Sequence, residues 1–237
     1  MNAKSAPSAK ETPRKRVSVL FSGRGTNMAS LITASMAADY PAIITQAITN
    51  VPGAGGLEIA DFHNIPAQII DHKAYESREA HELAVIAALK EAKPDLICLA
   101  GYMRILSETF VRQFRGKILN IHPSLLPAFK GVDTHHRALV AGVKIHGASV
   151  HFVDETLDGG QIIAQAAVPV ETNDDDDSLA ERVLVAEHSL YPHALALVAS
   201  GNVRLSGSRI VVSSSGTSEL GGTLYSPSLA AQRSQSR

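Results

Sequence analysis

Apolar and polar positions alternate along most of the chain in two periods, and the switches between them mark out the elements. Short apolar runs predict strands at 16–21, 42–49, 67–70, 95–100, 117–121, 148–153 and 161–170. Between them apolar positions recur at three- and four-residue spacing, which predicts helices over 27–36, 56–63, 77–92, 107–114, 134–141 and 178–200. The run DLICLA at 95–100 is apolar at nearly every position, as a strand buried on both faces requires. This succession predicts an α/β fold, a Rossmann-like open, mostly parallel sheet with helices on both faces. No internal repeat is found.

The pattern fades at both ends. Residues 1–13, rich in Ala, Ser, Lys and Pro, read as a disordered arm, and 206–237, rich in Ser and Gly, read as a flexible low-complexity tail in which Val211 and Val212 alone hint at a strand. That leaves one domain at 14–205. With 237 residues, 45% of them hydrophobic, the chain can bury a sizeable core.

Charge narrows the partners. The formal net charge is -1, so no global field draws the chain to nucleic acid or to an anionic membrane, and an anionic ligand must be held by local geometry. Cys98 is the only cysteine and lies in an apolar run, which excludes an intramolecular disulfide and points to a reducing cytoplasm. The polar, basic start has no apolar stretch like that of a secretory signal, and no run approaches the length of a membrane span.

Three segments carry candidate chemistry. SGRGTN sets Gly23 and Gly25 between the first strand and first helix, where backbone N–H groups and the helix dipole hold anions; tight turns also use glycine for steric reasons alone. A dinucleotide fingerprint is not met, because Met28 stands at the third glycine position and the second strand runs into Asn50, so a single phosphate fits better than a pyrophosphate. KILNIHPSLLP delivers Asn120 and His122 on one side of a strand at its carboxyl end, an amide and an imidazole suited to stabilising an oxyanion and moving its proton. HGASVHFVDETLDGG carries Asp158, which either shapes an Asp-Gly turn or lies beside His122 and favours the imidazolium. Sequence spacing does not decide between these.

Other polar clusters read more plainly. His135, His136, His146 and His151 have no Cys pair or HExxH beside them, so no metal site is expected. His151 shares a strand with Ser149 and can point toward the site. The acidic run from Asp174 to Asp177 lacks Ca-loop spacing and reads as a mobile solvated loop, placed to act as a lid.

Together SGRGTN, AGYMRIL, KILNIHPSLLPAFKG, HGASVHFVDETLDGGQII and AEHSLYP resemble the phosphoribosylglycinamide formyltransferases, folate-dependent enzymes of purine biosynthesis, over residues 17–205. The resemblance implies a cytoplasmic transferase moving the formyl group of 10-formyltetrahydrofolate to the amine of glycinamide ribonucleotide, with Asn120, His122 and Asp158 catalytic. It implies nucleotide binding at Gly25, Thr26, Asn27 and Glu187, and folate contacts at Arg78, Met103, Arg104, Ile105 and Leu106. From residue pattern alone, Met103, Ile105 and Leu106 read equally as core. No metal is expected, and a monomer and a homodimer both remain open. Thr26 stands where the family often has Ser, and the NVPGAGG stretch is richer in glycine than is usual. Two rivals remain: a 10-formyltetrahydrofolate hydrolase (or a formyltransferase with another acceptor), which leaves SGRGTN and AEH together unexplained, and a nonenzymatic nucleotide-binding regulator, which an intact catalytic set disfavours.

Overall fold

The computed structural model describes residues 13–207, 209–213, 218–220 and 223–226. All but the last residue of the predicted N-terminal arm lie outside them. The elements are β1 (Lys15–Phe21), α1 (Thr26–Ser35), β2 (Ala42–Thr49), α2 (Gly56–Phe62), β3 (Ala67–Ile69), α3 (Arg78–Ala92), β4 (Leu96–Leu99), α4 (Glu108–Gln113), β5 (Ile118–His122), α5 (Thr134–Val140), β6 (Ile145–Phe152), β7 (Ile162–Pro169), α6 (Asp176–Ala199), β8 (Val203–Ser206), β9 (Arg209–Val212), β10 (Ser218–Leu220) and β11 (Thr223–Ser226).

The main sheet runs β10-β11-β7-β6-β5-β4-β1-β2-β3. From β3 to β5 its strands are parallel; β6, β7, β11 and β10 continue it antiparallel. Alternation sorts the apolar side chains into two cores. Val17, Val19 and Phe21 of β1 face α1 and α6 with Leu31, Val183 and Leu190, while Leu20 faces α3 and α4 with Leu89 and Phe110. Helices therefore cover both faces, as the period-2 strands and period-3.6 helices predict. All five parallel strands end at one edge, so the loops after β1, β4 and β5 gather there.

Three expectations change. β6 begins at Ile145, not 148, because Gly147 is no breaker: a Cβ there would lie 1.9 Å from the Ala166 carbonyl oxygen, so glycine permits close strand approach. The acidic run is not a free loop: Asp176 and Asp177 lie in α6 and Asp175 is its N-cap. Asp174 accepts from Arg182 at 2.6 and 2.8 Å, and Asp175 caps α6 by accepting from the Ser178 N–H at 2.8 Å. Its acidic side chains favour a helix N-terminus, which sequence reading placed two residues too late. The flexible reading of 206–237 is corrected within the described residues: β9 pairs with β8, and β11 pairs with β7 and buries Tyr225 to 2% exposure. Those strands are fixed by partners distant in sequence, which a Ser/Gly-rich composition conceals.

Candidate active site

β5 is anchored by buried Ile118, Leu119 and Ile121, and its other positions carry Asn120 and His122. Antiparallel β6 sets His151 opposite Asn120 and Ser149 opposite His122, so four polar side chains share one face of two strands. The turn after β6 adds Asp158, held in the left-handed region at φ 46. Its Oδ2 lies 3.5 Å from His122 Nδ1 and accepts the Gly131 N–H at 2.8 Å. His122 Nε2 donates to the Phe129 carbonyl at 3.0 Å, so both ring nitrogens face oxygen acceptors, the pattern an imidazolium satisfies.

Asn120 is oriented in turn by His151. That ring donates from Nδ1 to the Phe152 carbonyl at 2.9 Å, which leaves Nε2 to accept from the Asn120 amide at 3.2 Å. Burial holds the His151 pKa below its ordinary value, favouring this neutral form. The second Asn120 amide hydrogen is left for a ligand.

The segment after His122 is tied down by a compact network. Ser149 Oγ accepts from the Leu126 N–H (3.0 Å) and from Gln165 Nε2 (2.8 Å) and donates to the Ser124 carbonyl (2.7 Å), while Ser124 Oγ donates to the Ala128 carbonyl at 2.6 Å. Ser124 and Gln165 were not singled out from sequence; a polar residue inside the apolar run of β7 is the signal that was available.

Beside this lies the glycine loop. Gly25 starts α1 at φ 76 with no side-chain cap, and a Cβ there would meet the Gly56 Cα at 2.6 Å. The Gly56 N–H donates to the Gly23 carbonyl at 3.1 Å, so the second glycine-rich stretch buttresses the first. The N–H groups at the start of α1, those of Thr26, Asn27 and Met28, have no partner within the helix, the kind of donor set that helix N-termini offer to anions. Asn27 donates from Nδ2 to Glu187 Oε2 at 2.7 Å, joining α1 to α6. Burial pushes the Glu187 carboxyl up to about 7, with the Asn27 hydrogen bond opposing.

A cleft of about 390 Å³ opens between loop and helix, lined by Arg24, Pro123, His135, Glu181 and Glu187 among others. Pro123 follows His122 directly, so β5 exits into this cleft. Arg24 and His135 were not assigned to it from sequence, although a basic residue inside an anion loop was a visible signal.

The other predicted contacts gather at the end of β4, which neighbours β5 with Leu99 paired to Asn120. The Met103 N–H donates to Ser22 Oγ at 2.8 Å, and that hydroxyl donates to Asn50 Oδ1 at 2.6 Å, binding the loops after β4, β1 and β2 together. Met103 and Ile105 are 73% and 65% exposed, which removes the core reading for both; Leu106 packs against the second core. Arg104 lies between them, half-buried. Arg78 opens α3 and contacts Glu82 at 3.3 Å; buried Glu82 also accepts the Ser107 N–H at 2.8 Å, fixing Arg78 to this loop. Among the described residues no group of three potential metal ligands occurs, and no helix is long and apolar enough to cross a membrane.

Comparison with known proteins follows the same outline. The formyl transferase family profile matches residues 15–195. The chain is 50% identical over 194 residues to the trifunctional purine biosynthetic protein adenosine-3 of Bos taurus, covering 81% of this chain but only 19% of that protein's length. It is 41% identical to the phosphoribosylglycinamide formyltransferase of Escherichia coli, over 79% of this chain and 88% of the relative. The crystal structure of the Brucella melitensis phosphoribosylglycinamide formyltransferase superimposes with a TM-score of 0.76 at 50% identity, covering 83% of this chain and all of the other.

Proposed function

We propose the following chemistry from the premise that this chain belongs to the formyl transferase family: it transfers the formyl group of 10-formyltetrahydrofolate to the amine of glycinamide ribonucleotide, a step of purine biosynthesis. The observation that carries the reading is the meeting of His122 and Asp158 at 3.5 Å beside a cleft lined by Pro123 and Glu187. The formyltransferase domain is assigned to 14–205 and, with substrates of central metabolism and a buried thiol at Cys98, to the cytoplasm.

The amine attacks the formyl carbon, forming a C–N bond and a tetrahedral oxyanion. Asn120 donates its free amide hydrogen to that oxygen, and the His122 imidazolium, held between Asp158 and the Phe129 carbonyl, supplies positive charge. Collapse breaks the bond to the folate nitrogen, which takes up the proton lost by the amine, while the Asp158 carboxylate stays beside the ring at 3.5 Å. No protein nucleophile is needed. Holding two substrates in contact accounts for much of the remaining acceleration. The ribose phosphate is held by Gly25, Thr26 and Asn27, the amide portion of the nucleotide by Glu187, and the folate by Arg78, Met103, Arg104, Ile105 and Leu106. Incubation with formyl-labelled 10-formyltetrahydrofolate tests this: label enters product only when glycinamide ribonucleotide is present. Formate released without acceptor would support the hydrolase instead, and no movement of label would support the regulator.

A further inference from the structure

β7 reads IIAQAAVP: eight residues with no charge and with proline only at the last position. One side of it is paired to β6 along almost its whole length. The formyl transferase profile matches residues 15–195, a span that contains β7 but nothing that pairs with its other side. A long, uncharged, apolar strand with a free edge is a template for pairing with another chain, and proteins protect such edges with charge, proline, bulges or a cover. The middle of β7 has neither charge nor proline.

Residues beyond the match supply a cover. β11 pairs antiparallel with the middle of β7, Leu224 opposite Ala167, Tyr225 opposite Ala166 and Ser226 opposite Gln165, and β10 pairs outside it. Tyr225 is 2% exposed and belongs to the larger of the two cores. The outermost strand becomes β10, only three residues long, and short edge strands make poor templates.

We propose that the β10–β11 hairpin, anchored by Tyr225, is a built-in edge cover that keeps β7 from pairing with β7 of a second copy of this chain. Two such edges joined antiparallel about a twofold axis form a self-complementary contact, so the partner excluded is the chain itself. The role is independent of formyl transfer and is read without it.

The test uses the full chain carrying Tyr225→Asp, which places a charge in the buried anchor site. Amide exchange across 162–169 is expected to accelerate at least tenfold, and light scattering is expected to show a mass that doubles relative to wild type as concentration rises. Adding Ala167→Lys, a charge on the uncovered edge, is expected to restore the wild-type mass while exchange stays fast. Unchanged exchange in Tyr225→Asp overturns the anchor. Fast exchange with wild-type mass overturns the cover, and association that survives Ala167→Lys places the contact elsewhere and overturns it equally.

Discussion

Asp158 Oδ2 lies 3.5 Å from His122 Nδ1 and at the same time accepts the Gly131 N–H at 2.8 Å. One carboxylate oxygen therefore links the His122 ring to the loop that carries Phe129, the ring's other acceptor. Asp158→Asn separates charge from shape: asparagine tolerates the φ of 46 and keeps an acceptor for Gly131, but carries no negative charge. Turnover is expected to fall by about 100-fold or more, at an unchanged melting temperature. Steady-state kinetics with a melting curve check it, and a fall of less than about fivefold would remove Asp158 from the mechanism.

Gly25 is required by both backbone and space. Gly25→Ala places a Cβ 2.6 Å from the Gly56 Cα at a φ of 76, so the two glycine stretches must part. Stability is expected to drop by about 1–3 kcal/mol. KM for the nucleotide should rise well above wild type while KM for the folate stays within twofold. An equal rise in both would place the anion site elsewhere.

Glu187 sets a pH dependence of stability. Its folded pKa, pushed up to about 7 by burial from an ordinary 4.5, means that the folded chain keeps a proton that the unfolded chain has released between those values. Stability is therefore lost as pH rises through that window, and above it the ionised carboxylate costs on the order of 1–3 kcal/mol. Glu187→Gln carries no such charge, so urea unfolding should show the variant gaining by that amount on wild type between about pH 5 and pH 8. A difference that stays constant with pH would show that burial does not act on this carboxyl.

Tyr191, fully buried on α6, places its hydroxyl 3.1 Å from the Leu99 carbonyl and 3.0 Å from that of Leu119, at the end of β4 and within β5. Tyr191→Phe removes this buried donor and leaves the two carbonyls with only the partners the β4–β5 ladder supplies. A loss of about 1–2 kcal/mol in urea unfolding is expected. No loss would mean that the carbonyls find other donors.

Elements with their own periodicity are legible in the sequence. β4 and β5 showed as apolar runs because both faces are buried, and Asn120 and His122 showed as polar exceptions at a strand end. Asp158 showed as a residue but not as a neighbour of His122, since the turn after β6 is brought to β5 only by the antiparallel register. The Asn27 to Glu187 bond was hidden because only the packing of α1 on α6 brings the two together. The contacts of Arg78 and Met103 to Leu106 rested on family resemblance, because exposed apolar side chains after a buried strand look like core from pattern alone. The C-terminal strands were missed because their order comes from β7 and β8, not from their own Ser/Gly-rich sequence.

The central claim is that His122 acts on the reacting carbonyl itself. Single-turnover formyl transfer by His122→Ala, with both substrates saturating and their binding measured separately, tests it most directly. The account predicts near-normal binding and a chemical step slowed by about 100- to 1,000-fold; a chemical step at wild-type rate would contradict it.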